Sequence, residues 1–196
     1  MPAAAQVDDD FLSLLRNTTA PQHTKLETTA ISKALLSNDV SLNDYVHYLI
    51  KMQAVIAFCE QTIFPLIKHI LHDIEARRKL ELIRNDLKYF GVSDPLENNY
   101  RPFQHNISPA FALGYMYVVE GSTLGGRVIL KHVQSKLAVD ENNSGSFFAG
   151  YRSLTGSTWK NFLQVLMDYT YKAQCGDEVI EGAQHAFESI YHYFEE

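Results

Sequence analysis

The sequence predicts an all-helical protein of one domain, a bent multi-helix bundle. Three observations carry this. Apolar residues recur at helical spacing along most of the 196 residues. No stretch of any length shows the apolar–polar alternation of a half-buried strand, and no internal repeat is present. Prolines and glycines fall inside several helical runs, which implies bent helices rather than straight rods.

Composition agrees with that class. With 46% apolar and 20% charged residues the chain can bury a core without disulfide staples. A formal net charge of −6 and a pI near 5.7 exclude a general nucleic-acid binder, which would carry a basic face. Cys59 and Cys175 lie far apart and form no CxxC, as expected of two small buried thiols in a reducing compartment. No basic and apolar leader opens the chain and no run reaches 18 apolar residues, so no membrane span and a cytoplasmic location are expected.

Residues 1–7 read as a flexible N-terminal tail and 8–196 as a single helical domain. Asp8 to Asp10 suit a helix start, where carboxylates meet the positive end of the helix dipole. Phe11, Leu14 and Leu15 follow at helical spacing. Pro21 either kinks this helix or opens a second one capped by Thr18 or Thr19, and Leu26 to Leu35 continue the pattern to about Ser37. Ser41 with Asp44 marks a capping-box start, and Tyr45 to Ile63 form one long helix that Pro65 kinks or restarts. Ile70 to Phe90 reads as the next helix, closed by Gly91. Residues 92–107 hold Pro95 and Pro102 and no periodicity, hence a loop. Ser108-Pro109 is a strong helix start, and that helix reaches about Leu137 with an interruption at its glycines. A polar loop spans 140–150. Helices follow over about 157–174 and 178–194, divided by Gly176-Asp177. The total is six to eight helices.

Two features carry chemistry. In Gly121-Ser122-Thr123-Leu124-Gly125-Gly126, three glycines sit inside a helical pattern at a cost of about 2–3 kcal/mol against alanine. Either the bare backbone approaches a flat ligand closely, or small residues let two helices pack. The second feature is His23 with Glu27, four apart on one helix face. A neutral imidazole can bind a metal such as iron while its other ring nitrogen donates to a carboxylate. An ordinary exposed histidine with an i, i+4 partner fits the same spacing.

Together, Leu15 to Glu27, Gly114 to Arg127, and Phe147-Phe148-Ala149-Gly150-Tyr151 with Gly156, Trp159 and Phe162 resemble the heme oxygenase family, most closely its short bacterial members. The resemblance spans about residues 11 to 166, and its distal segment is the most specific part. It implies a haem held between a proximal and a distal helix. It also implies O2- and electron-dependent opening of haem to biliverdin, with release of CO and ferrous iron.

Carried over by position, His23 is the axial iron ligand and Glu27 orients it. Arg16 meets a haem propionate. Gly121, Ser122, Gly125 and Gly126 cover the distal face, where O2 reacts. Tyr115, Tyr117 and Arg127 are further pocket candidates that suit packing or surface roles equally. Animal members carry Asp where this chain has Ser122, and bacterial members resemble this chain in having Ser. Proton delivery then rests on ordered water held by backbone and Ser122. Electrons come from an external donor such as a ferredoxin or flavodoxin reductase system.

The alternative on the same fold is a haem carrier or sensor without turnover. A diiron bundle would need paired Glu-x-x-His motifs, and Glu181 with His185 stands four apart without a second pair. A thiaminase-like hydrolase would need a nucleophilic cysteine, and Cys59 beside Glu60 has no evident histidine base. His69 and His72 read as a solvated surface, and His132, His185 and His192 as surface or packing residues.

Overall fold

The computed structural model describes residues 3–92, 100–103 and 107–196, with only the backbone considered for 3–9. Among the described residues nine α-helices run in the order α1 (Ala3–Glu27), α2 (Ala30–Leu35), α3 (Leu42–Phe58), α4 (Phe64–Ile67), α5 (Leu80–Tyr89), α6 (Pro109–Lys136), α7 (Ser146–Ala149), α8 (Thr155–Ala173) and α9 (Gly176–Glu195). No strand occurs among the described residues.

Local signals place many of these ends. Ser41 and Asp44 form the expected capping box at α3, each side chain satisfying the other's backbone N–H. Ser108 caps α6 with Pro109 in its first turn. Gly91, at φ +75°, closes α5: its N–H reaches Lys88 O and that of Val92 reaches Leu87 O, the paired bonds of a Schellman end.

Ser41→Ala is expected to cost about 1 kcal/mol in urea unfolding. The two bonds from Ser41 hold the Asp44 carboxyl below its usual value of 3.8. A depressed carboxylate contributes stability above its unfolded pKa and loses it as pH falls. The gap between parent and S41A should therefore narrow below about pH 4, and a gap independent of pH would refute the assignment.

Other ends depart from expectation. α1 is helical from Ala3, ahead of the expected start at Asp8, and runs unbroken through Pro21. It stops at Glu27, and Thr29 caps the separate α2, so the pattern to Ser37 belongs to two helices. The long helix after Ser41 passes through a π-turn, Cys59–Ile63, before restarting with Pro65 in the first turn of α4. Only Leu80–Tyr89 of the expected 70–90 helix is α-helical. Its first part turns, with a 3-10 segment at Ile74–Arg77, and Arg77 and Lys79 point inward to one buried carboxylate, Glu120. α6 is continuous through its glycines. α7 lies in the 140–150 segment expected to be loop. The 92–107 loop falls largely outside the described residues.

The most extensive packing is α6 against α9. Two glycines make it possible. A Cβ on Gly114 would lie 1.9 Å from Val179 O, and one on Gly182 would lie 2.1 Å from Phe111 O. The two backbones therefore touch at residues with no side chain between them. α1 also packs on α9, and α8 packs on α6. The stretch Leu42–Ile67 is long and apolar enough to cross a membrane by length and composition, and more than half of its most apolar part is buried here as the central core helix.

Candidate functional site between α1 and α6

α1 and α6 both lie on α9 but make few direct contacts with each other. α9 packs on both, and the space over α9 between the two helices is the candidate site. His23 stands on the α1 side with its side chain 57% exposed. Its ring meets α9 edge-on at Phe187, 5.5 Å between centroids. Glu27 Oε2 lies 3.8 Å from His23 Nδ1, beside the ring but beyond hydrogen-bond length. Arg16, seven residues earlier on α1, lies close enough to the Tyr117 hydroxyl of α6 for its charge to act on it. Burial raises the Tyr117 hydroxyl pKa and the Arg16 charge offsets part of that rise. The Tyr117 ring packs 5.5 Å from Trp159 of α8. Arg16 and Tyr117 are thus brought together across that space.

The glycines of α6 divide the two readings between them. A Cβ on Gly121 would sit 3.4 Å from the Trp159 ring, and one on Gly126 would sit 3.3 Å from Phe148 O. Those two serve packing within the protein. Gly125 has nothing within 4 Å and is exposed, so the bare backbone opens outward there. Ser122 is also exposed, three residues earlier on the same face, and its hydroxyl donates to Val119 O at 2.8 Å. Leu124 and Val128, exposed by 42% and 65%, add apolar surface nearby. Arg127 is exposed and donates to the Arg152 carbonyl, tying α6 to the 3-10 turn Arg152–Leu154.

Tyr115 belongs to the core rather than to a pocket. It is fully buried, its hydroxyl bonds that of Tyr100, and Tyr100 also meets Ser189 at 2.9 Å. Burial pushes the Cys59 thiol well above its ordinary value, which removes the thiolate a nucleophile needs. His185 lies 2.9 Å from Pro102 O and packs on Phe103, so it is no metal partner of Glu181. His69 and His72 are exposed. No group of three or more His, Cys, Asp or Glu suited to a metal occurs among the described residues.

One constellation escaped the sequence reading. Glu120, the residue before Gly121, is fully buried. Arg77 Nη1 reaches its Oε2 at 2.5 Å, and Lys79 Nζ reaches its Oε1 at 2.7 Å. The Tyr151 hydroxyl donates to Oε1 at 2.7 Å. Arg77 also pairs with Asp73 at 2.8 Å, while Glu60 in the π-turn accepts from Arg78 and from the N–H groups of Lys79 and Leu80 at the start of α5. Burial and the adjacent Glu120 charge push the Tyr151 hydroxyl far above its usual pKa, so it stays a donor. The signal was present: Glu120 is a single carboxylate closing the apolar run Tyr115–Val119 on a core helix, where an ionised group needs a partner.

A sequence model of the heme oxygenase family matches residues 9–196. A protein named heme oxygenase from Xanthomonas campestris pv. campestris (strain 8004) is 28% identical over 156 residues, 79% of this chain and 91% of that one. The solved heme oxygenase of Leptospira interrogans superposes with a TM-score of 0.76 at 15% identity, covering 94% of this chain and 98% of that one. The NO- and CO-bound heme oxygenase of Neisseria meningitidis gives 0.72 at 20% identity, covering 94% and 92%.

Proposed function

The chain belongs to the heme oxygenase family, and from that premise we propose that it binds haem in the space between α1 and α6 and opens it to biliverdin. The observations that support this reading are the family match over residues 9–196, an exposed imidazole at His23 on α1, and exposed bare backbone at Gly125 beside Ser122 on α6, both helices packing on α9. A planar ligand needs such closeness on one face and a nitrogen donor on the other. The described residues fit it.

Haem, as the substrate, supplies the redox and oxygen chemistry through its own iron. The chain's residues orient it. His23 is the axial ligand, and a neutral imidazole suits oxygenation of the ring better than a thiolate, which favours O–O cleavage. Phe187 holds the imidazole by its edge, and Glu27 is close enough to accept its Nδ1–H after a small shift when iron occupies Nε2. Arg16 is exposed on α1 and meets a propionate in a charge-assisted pair. Gly121 and Gly126 hold the roof against Trp159 and Phe148, while Gly125 leaves room for O2 and water. The Ser122 hydroxyl, now turned to Val119 O, holds the water that passes protons inward. Arg127 steadies the roof through the Arg152 carbonyl rather than touching the ligand. Electrons come from an external ferredoxin or flavodoxin system. Unpaired Cys59 and Cys175 suit work in the reducing cytoplasm.

The test is a hemin titration followed by reductant and O2. A saturable Soret band that gives way to a broad red bilin band is expected. A stable Soret band without bilin would make the protein a carrier or sensor, and no saturable binding would end the haem reading.

A further inference from the structure

We infer that Glu120 is a positioning residue for this reaction, clamping the roof segment Gly121–Gly126 at one height and rotation over the haem through Arg77, Lys79 and Tyr151. The inference rests on the oxygenase reading for its consequence, but the clamp itself stands on geometry.

Three side chains from two separate pieces of chain converge on one carboxylate. Arg77 and Lys79 arrive from the turn before α5, and Tyr151 from the turn after α7. Lys79 Nζ also donates to the Tyr151 hydroxyl at 2.6 Å, so the donors brace one another. Arg77 extends the brace to α8 through Thr158 O at 3.3 Å. The next residue of α8, Trp159, is the one whose ring backs Gly121. The clamp therefore holds both the helix that carries the roof and the ring behind it.

Stability alone does not call for such an arrangement. Charges taken out of water carry a desolvation penalty that their mutual attraction often fails to recover, and apolar side chains of the same volume commonly do as well. What a buried ionic cluster supplies is a unique register, because any slip leaves a charge unpaired. The roof has need of one. Its glycines give it no side-chain interlocking of its own on the open face, and Ser122 and Thr123 hydroxyls bond back to their own helix, a pattern that bends helices. A small rotation of α6 would change the distance from Gly125 to the ligand plane. The direction in which an oxygen ligand leans beneath the roof would change with that rotation.

Tyr151→Phe removes the half-buried hydroxyl and keeps every charge, so it is the variant of choice, with Glu120→Gln beside it. In haem-free protein, amide hydrogen exchange in 121–126 should speed up about tenfold in Y151F while α3 and α9 keep parental rates. With hemin, Kd should stay within about threefold, while turnover falls about tenfold and the ratio of bilin isomers shifts. A folded Y151F with parental exchange in 121–126, parental turnover and parental isomer ratio overturns the proposal, and so does exchange that rises uniformly over the whole chain. If E120Q does not fold, Y151F decides alone. If the parent makes no bilin, the oxygenase reading fails by that result, whereas the exchange pattern in Y151F still accepts or rejects the clamp.

Discussion

His23→Ala is expected to fold like the parent and to lose bilin formation by about 100-fold or more. The two halves of that expectation have separate causes. The His23 side chain is more than half exposed, and its one ring partner is the Phe187 edge, so little packing is lost. A change of this kind stays within about 0.5 kcal/mol. Activity depends on it differently. Outer-shell partners of a metal ligand are already worth about 10–100-fold, and the ligand itself more. Hemin absorbance of H23A should lack the parental Soret position, and added imidazole should restore it, because the side chain is exposed and free imidazole can reach the vacated place from solvent. Thermal melting, hemin titration and single-turnover bilin yield with and without imidazole check all three statements. Parental bilin yield from H23A would remove His23 from the site.

Gly114→Ala and Gly182→Ala are expected to be the most destabilising single methyl additions in the chain. Each new Cβ would fall within about 2 Å of a backbone carbonyl oxygen on the opposing helix, at Val179 and Phe111 respectively. No rotamer relieves that contact, since neither partner is a side chain. The helices must separate, and α6 on α9 is the largest interface in the bundle. Overpacking of this sort costs about 3 kcal/mol or more. For a domain of this size that is a fall in melting temperature of roughly 6–12 °C. Gly125→Ala is the control, because its Cβ meets nothing within 4 Å. It should gain up to about 1 kcal/mol from helix propensity. Equal melting temperatures for the three variants would refute the close crossing.

The contrast between those glycines also shows what was legible in the sequence. The run Gly121–Gly126 drew notice because three glycines cluster, and the structure gives two of them to packing and one to the open face. Gly114 and Gly182 stand alone in helical runs, and nothing near them says that a backbone arrives from a helix some seventy residues away. Ser41, Ser108 and Gly91 act through bonds that span three to five residues of sequence, so their ends were readable. Pro21 was not readable, because its ring fits a kink, a cap or a tolerated gap in the ladder, and packing of α1 on α9 selects the last. The break at residues 70–79 was hidden for the same reason. Its apolar spacing is helical, but Arg77 and Lys79 pair with Glu120, a partner some forty residues away that no local pattern announces. The proximity of Arg16 to Tyr117, a pair on different helices, followed only once the bundle was assembled.

The glycine-on-carbonyl contact between α6 and α9 has a mechanical consequence for loading. Two helices in backbone contact have no compressible layer between them, so α6 and α9 move as one jaw. α1, which packs on α9 and is followed by the Thr28–Thr29 break, is the other jaw. On the proposed reading a planar guest would be admitted by movement of α1, and the α6 wall would meet every arriving molecule in the same shape.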